Sequence, residues 1–508
     1  MIEEVAIGPK LTLDDYASYA HLANTVAELR SEAGLLSPKL SERTVWMINS
    51  TARGGGVAEM LPHDVSIMNQ VGVKTRWLVI GTDRVEFFNF TKKLHNLIHG
   101  AGEPEITQEE RELYETVSRE LADELRGWVA PDDILVVHDP QPAGMGAKIA
   151  DELGVMCVWR CHIGLDAELP QTRVAWDFLR PYLERYDQSV WTATEYIPHY
   201  LSSNVAVIHP SIDPLSHKNR ELSAQKLIGV LCNSALLRQY GPVLTPPFDT
   251  PVERLKPDGS FAPATEVNEL GAPFRPIVTQ ISRWDRLKGW RPLLDAFVML
   301  KRDRERFIEP GDDRQRQRLG IVRLVLAGPE PAAVQDDPEA KEVLDELCDA
   351  YKSLTPELQE DIALLSLPMS SLKVNALMVN ALQRCSTVIV QNSLREGFGL
   401  TVTEAMWKRT PVLGSSACGL RQQIRNDIDG HLVDNPEDVH EVADALSRLL
   451  SDPLQRDALS RRAQRRVHDE FLVFKQVMRW IRLLASMVEP RRTSSRPASI
   501  RPLSSRRG

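Results

Sequence analysis

The chain has 508 residues and a formal net charge of −9, from 61 basic and 70 acidic side chains. That length exceeds one ordinary core, so two domains plus extras are expected. The acidic balance argues against a nucleic-acid binder, which needs a basic face to neutralise phosphates, and six scattered cysteines argue against a disulfide framework.

The first stretch, MIEEVAIGPKLTLDDY, is acidic and has no apolar h-region, so no secretory signal is expected. Short β-branched runs then alternate with longer amphipathic stretches. In the first part the runs are TVWMIN (44–49), TRWLVI (75–80), DILVVH (133–138), VMCVW (155–159), SVWTAT (189–194) and VAVIH (205–209). In the second they are PIVTQI (276–281), IVRLVLAG (321–328), DIALLS (361–366), TVIVQ (387–391), PVLG (411–414) and HLV (431–433). Mostly apolar strands separated by helical segments mean parallel sheets covered on both faces.

The middle, 241–276, is rich in Pro and Gly and reads as a linker or an ordered surface loop. Residues 101–126 and 334–360 read as charged helices. The run FLVFKQVMRWIRLLASMV (471–488) is broken by Lys475, Arg479 and Arg482. Its Phe474, Val477, Met478, Ile481 and Leu484 form one face of a packed helix, not a membrane span. The tail after Glu489 holds Arg, Ser, Pro and little that is apolar, and reads as disordered. The expected division is a first domain over 1–215, a second over 216–470, a helix over 471–488 returning to the first domain, and a basic tail over 489–508. Ligands of open parallel sheets sit at the carboxyl ends of the strands, so the cleft between the domains is the expected site.

Five clusters could carry chemistry. RGGGVAEM (53–60) follows a strand and opens a helix; its glycines let a ligand approach the backbone, and free N–H groups attract anions or sugar hydroxyls. It lacks the third glycine of a dinucleotide fingerprint, and a tight turn explains it equally. Glu59 there is either a helix-dipole partner or a hydroxyl acceptor. VVHDPQP brings His138 and Asp139, and WRCHIG brings Arg160 and His162, to carboxyl strand ends of one sheet. QISRWDRLKGW places Arg283 and Lys288 after the first strand of the second domain, where a planar fork and a point charge suit a phosphate; the alternative is an ion pair with Asp285. REGFGLTVTEAMW carries Glu396 in a glycine loop and Glu404 in the helix that follows. Two carboxylates beside exposed amides suit a ligand with many hydroxyls and a diphosphate. Cys157 and Cys161 lack a second pair with zinc-like spacing, and Asp427 and Asp429 in NDIDG read as a turn, so no metal site is expected.

REGFGLTVTEAMW, with its Glu-x7-Glu spacing, and SRWDRLKGW before it resemble retaining glycosyltransferases of the GT-B architecture. GGVAEM, EFFNFTKKLHN, VHDPQPA, WRCHI and PSIDPLSHKN narrow the resemblance to the trehalose glycosyltransferring synthases and the related retaining trehalose phosphorylases. It implies an α/β fold with two Rossmann-like domains whose parallel sheets face a central cleft. It implies that Arg283 and Lys288 hold a donor diphosphate and that Glu404 binds ribose hydroxyls. Glu396, with Gly397, Phe398, Gly399 and Leu400, would hold the transferred glucose. Gly55, Gly56, Glu59, His138, Arg160 and His162 would line the donor–acceptor junction on the first domain, with Arg283, Lys288, Glu396 and His162 the catalytic set. The implied reaction makes α,α-trehalose, reversibly, from a nucleoside-diphosphate glucose and glucose, with no metal and no cofactor beyond that donor. The alternatives are phosphorolysis of trehalose to glucose 1-phosphate and, in another class, a non-catalytic sugar-binding relative. Partners would be sugars and nucleotide-sugars, without nucleic acid or membrane span, in a cytoplasmic homodimer. One departure stands out: the family continues the His162 motif with an aspartate, where this chain has Gly164 and, two residues on, Asp166.

Overall fold

The computed structural model describes residues 1–8, 10–52, 55–201, 203–243, 245–267, 269–331 and 339–489. The basic tail from 490, the start of the expected helix at 334–338, and Arg53 and Gly54 of the glycine-rich turn lie outside the described residues.

The strands are β1 (Ile2–Glu4), β2 (Val45–Asn49), β3 (Thr75–Ile80), β4 (Ile134–His138), β5 (Met156–Cys161), β6 (Gln188–Trp191) and β7 (Val205–Val207), then β8 (Glu253–Leu255), β9 (Phe261–Pro263), β10 (Ile277–Ile281), β11 (Arg323–Pro329), β12 (Ile362–Leu367), β13 (Val388–Gln391), β14 (Val412–Ser415) and β15 (His431–Val433). Each β-branched run forms a strand, and helices separate most of them. Strands such as β2, β4 and β10 are buried along their whole length, which is why they read as continuous apolar runs.

The first sheet has the order β1-β3-β2-β4-β5-β6-β7, parallel except for β1 against β3. The second has the order β15-β14-β13-β10-β11-β12-β8-β9, parallel except for the β8–β9 hairpin at its edge. That hairpin lies in the segment expected to be a linker or loop. Its two strands have three residues each, too short to show a period, and backbone pairing with β12 makes them strands.

In each sheet the strand order reverses beside the first long strand. The reversal falls between β2 and β4 in the first sheet and between β10 and β13 in the second. Crevices open at such switch points, outside the carboxyl ends of the strands. The segments there are 50–52, the start of the helix Gly55–Gln70 and His138–Asp139 on one side, and 282–288 and 392–399 on the other.

The chain passes from the first sheet near Ile208 and returns with the last helix, Val473–Val488. The two crossings pair with each other: Ile212 N–H donates to the Phe471 carbonyl at 2.9 Å, and Val473 N–H to the Ile212 carbonyl at 3.0 Å. The last helix buries Phe474, Val477, Trp480, Ile481 and Leu484 against the helices Ala20–Leu36 and Gly55–Gln70. The same apolar cluster runs on through Leu61, Val65 and Ile212 to Phe398, Val402 and Met406, so one continuous core joins the two sheets. No helix among the described residues is long and apolar enough to cross a membrane.

Candidate active site

On the second sheet, the loops after β10 and β13 are tied together before any side chain faces the cleft. Leu394 N–H donates to the Leu287 carbonyl at 2.7 Å, and Asn392 N–H to Gln280 Oε1 at 2.9 Å. Asp285 caps the short turn Arg286–Lys288 through Leu287 N–H, 2.8 Å away. Lys288 emerges from that turn, and its Nζ donates to Glu396 Oε2 at 2.8 Å. Ser393 Oγ and Gln391 Nε2 donate to the same oxygen at 2.9 and 3.3 Å. The pair is mostly buried, 15% and 11% exposed, which strengthens the attraction between the charges. Arg283 stands exposed at the lip.

Gly399, at φ 87°, turns the chain into the helix Leu400–Trp407; a side chain would strain that left-handed backbone. Phe398 is buried behind the loop, and Gln423 Nε2 donates to the carbonyls of Phe398 and Gly399. Glu404 is buried one turn into the helix. Burial pushes its carboxyl above the usual range, against the pull of Lys218 and Lys408.

On the first sheet, β4 and β5 run in register with His138 opposite Arg160. His138 Nδ1 and His162 Nε2 are 2.9 Å apart, with the rings stacked at 5.2 Å between centroids. Asp139, at φ 64°, accepts the His162 backbone N–H at 2.8 Å and so fixes the second ring. Burial, then the nearby Arg160 charge, depresses both imidazoles, His138 to about 3 and His162 well below its ordinary value. Both rings are therefore neutral at pH 7, and only one of them donates in the shared hydrogen bond. The buried His138 Nε2 has no hydrogen-bond partner among the described residues. Arg160, read from the sequence as lining the junction, lies completely buried beneath it. Its guanidinium donates to the Ile208 and Cys161 carbonyls at 2.8 and 3.1 Å, so it supports the histidines from below.

The halves meet over these groups. The position of a Cβ on Gly397 is 3.4 Å from the His162 carbonyl, and that of a Cβ on Gly56 is 3.5 Å from Leu400. Gly55 opens the helix that carries Gly56 and Glu59. Glu59 faces Lys218, not the histidine pair, at 2.9 Å. Tyr196 reaches from the first half so that its hydroxyl lies 3.0 Å from the Glu396 carbonyl and 3.1 Å from that of Gly397. Gly164 makes this possible: a Cβ there would lie 2.2 Å from the Tyr196 ring. Asp166 points to Arg421 of the second half, 2.7 Å away. A cavity of about 150 Å³ opens beside the loop, lined by Gly164, Tyr196, Arg395, Glu396, Cys418 and Asp434 among others.

Five residues at this junction carried no assignment from the sequence: His95, His99, Tyr196, Lys218 and Arg395. Arg395 donates to the His99 carbonyl, and the rings of His95 and His99 lie 4.7 Å apart. Burial, and then neighbouring charges, lower both imidazoles, to about 3 and about 4; Arg283 acts on both and Lys288 on His99. The i, i+4 spacing of the two histidines at a helix end was the available signal. The decoy NDIDG is a turn: Asp429 accepts from Arg425, and Asp427 from His431 and Arg448.

Residues 47–198 match the family model "Trehalose synthase, N-terminal domain", and residues 369–466 match "Glycosyl transferases group 1". The chain is 33% identical to a trehalose synthase of Pyrococcus horikoshii over 491 residues, covering 96% of this chain and 99% of that one. It is 25% identical to a trehalose phosphorylase of Grifola frondosa, covering 97% of this chain and 65% of that one. In fold it is similar to an α,α-trehalose-phosphate synthase (UDP-forming) from Burkholderia vietnamiensis, with TM-score 0.60 and 19% identity over 87% of this chain and 98% of that one. The two facing sheets are thus the GT-B fold.

Proposed function

The chain belongs to the trehalose synthase family of glycosyltransferases, and from that membership we propose that it transfers glucose, with retention, between a nucleoside diphosphate and the anomeric hydroxyl of a second glucose, forming α,α-trehalose reversibly. The observation that supports this reading most is the Lys288–Glu396 contact at the second switch point, 2.8 Å long. A cation meant for phosphate is there held by a carboxylate meant for sugar hydroxyls. When donor binds, its diphosphate takes Lys288 and Arg283, and Glu396 turns its acceptors to the glucose.

In this mechanism the bond from the anomeric carbon to the diphosphate oxygen breaks while the acceptor oxygen bonds to the same face. The acceptor proton passes to the departing phosphate oxygen. Arg283 and Lys288 stabilise the charge that grows there. Because acceptor and leaving oxygen share one face of the glucose, the reaction needs no carboxylate nucleophile, and Glu396 serves as a hydroxyl acceptor. His162, neutral and braced by Asp139, orients a sugar hydroxyl. The Tyr196 and Arg395 contacts close the halves and keep water from the donor. The two cations supply the charge compensation, so the reading needs no metal and no cofactor other than the nucleotide-sugar. The same reading makes the enzyme a cytoplasmic homodimer.

The test is product analysis. Purified protein is incubated with trehalose, a chelator, and either inorganic phosphate or a panel of nucleoside diphosphates. Nucleotide-sugar and glucose, formed only with a diphosphate, are the expected products. Glucose 1-phosphate formed with phosphate would replace the synthase reading by phosphorolysis. Neither product in any arm would refute both.

A further inference from the structure

Lys218 stands where the two carboxylate-bearing helices of the site approach a common cation. Its Nζ lies 2.9 Å from Glu59 Oε2, on the helix Gly55–Gln70 of the first half. It also lies 3.6 Å from Glu404 Oε1, on the helix Leu400–Trp407 of the second half. The Lys218 side chain is 24% exposed, Glu59 54% and Glu404 6%. The ammonium is thus anchored on a solvent-facing carboxylate and directed at a buried one.

The segment that carries it is held firmly. Asn380 Nδ2 donates to the carbonyls of His217 and Arg220 at 3.0 and 2.9 Å, and Arg384 donates to that of Arg220 at 3.0 Å. The next residue, Asn219, takes a second buried cation: Lys408 Nζ donates to Asn219 Oδ1 at 3.0 Å, to Gln383 Oε1 at 2.6 Å and to the Glu404 carbonyl at 3.1 Å. Lys408 therefore satisfies the backbone of Glu404, while Lys218 faces its carboxylate. A buried carboxylate is costly unless a charge is paired with it, and truncating the partner leaves it uncompensated.

We propose that Lys218 is a positioning residue for the donor: bridging Glu59 and Glu404, it holds the Glu404 carboxylate as a charged, acceptor-only group for vicinal hydroxyls. This rests on the reading that Glu404 meets the sugar next to the nucleoside. The bridge also ties donor recognition on the second half to the helix Gly55–Gln70 of the first, which carries Glu59. Without Lys218, the groups still facing Glu404 are Lys408 and Gln383 on its own side and Glu59 across the cleft; Arg384 stands near Lys408. Of these, Lys408 still attracts the carboxylate but spends its hydrogens on the Glu404 carbonyl, Asn219 and Gln383, and Glu59 repels it. Burial then favours the protonated acid, which offers one acceptor fewer and donates a hydrogen itself.

The experiment compares the wild type with Lys218→Met and Lys218→Arg. Binding of ribose and 2′-deoxyribose forms of the same nucleoside diphosphate is measured by calorimetry between pH 6 and 9, alongside donor KM and kcat. The wild type is expected to prefer the ribose form about tenfold, the worth of one hydrogen bond to a charged group. In Lys218→Met that preference collapses toward one at pH 7 and recovers as pH rises. Donor KM rises about tenfold, while kcat at saturating donor and acceptor KM stay within threefold. Lys218→Arg restores most of the preference. If Lys218→Met does not fold, Lys218→Gln takes its place. An unchanged ribose preference, or a loss of kcat without a change in donor KM, overturns the proposal and leaves Lys218 a structural strut. A wild type that binds no diphosphate of the panel and turns over no donor refutes instead the underlying reading of the site.

Discussion

The Tyr196 hydroxyl, from the first half of the molecule, is shared between the backbone carbonyls of Glu396 and Gly397 in the second. Its ring occupies the space that a side chain on Gly164 would need. Packing accounts for a glycine at position 164: it admits an aromatic clasp on the loop that holds Glu396. Tyr196→Phe removes the hydrogen bond and keeps the ring. We expect kcat/KM to fall about tenfold, the upper range for one net hydrogen bond, with little change in melting temperature. Gly164→Ala should cost more than Tyr196→Phe, because the added methyl displaces the whole ring. Steady-state kinetics of both variants decide this, and a Gly164→Ala enzyme with normal kinetics would refute the clasp.

Lys288 is expected to matter to rate far more than to fold. In Lys288→Ala the developing phosphate charge loses one of two cations, and we expect kcat to fall about 100-fold or more. Glu396 keeps Ser393 and Gln391 as donors, so the melting temperature should drop by only a few degrees. Turnover within tenfold of the wild type would sink the assignment of Lys288 to the diphosphate.

The stacked histidines make stability depend on pH. His138 titrates near 6.5 in an unfolded chain but is held down at about 3 in the fold. Its neutral burial therefore contributes stability that is complete above pH 6.5 and is lost as pH falls toward 3. The loss is about 1.4 kcal/mol for each pH unit in that window. Asp64 and Asp139, buried and raised to about 8 and about 6, have the opposite slope, so the informative quantity is a difference. The stability gap between the wild type and His138→Gln should narrow as pH falls from 6.5 to 4.5. Chemical denaturation across that range measures it, and a constant gap would show that the pair takes up protons freely.

The last helix should be indispensable to the first domain. Trp480 is buried among residues of the helix Ala20–Leu36 and its neighbours, and Phe474 meets Tyr16 edge-on at 5.0 Å. Trp480→Ala should cost about 3–5 kcal/mol, the usual range for a large side chain deleted from a core. Thermal melts would show it, and a melting temperature within a degree of the wild type would place the helix outside the core.

Much of the candidate site's placement was legible because its residues follow strands closely. Arg283, Lys288, Glu396, His138 and His162 all lie at a carboxyl strand end or in the loop that follows it, and open parallel sheets gather such positions. Glu59 was legible as a helix-start carboxylate, but not as the partner of Lys218. Arg160 was misplaced because strand position shows where a residue lies along the sheet but not how deep its side chain goes. The β8–β9 hairpin was hidden by strands too short for a period to develop.

Two parallel sheets, their order of elements and the two glycine-bearing loops follow from the linear pattern, because a strand buried on both faces must be apolar throughout and a loop at its end is free to carry polar groups. The closure of one half on the other does not follow from it. Tyr196 meets a carbonyl 200 residues away, Lys218 stands between carboxylates from opposite halves, and His99 receives a guanidinium from across the cleft. No local spacing encodes such pairs, since they arise only when two separately patterned sheets pack through a shared apolar core and bring their switch points face to face.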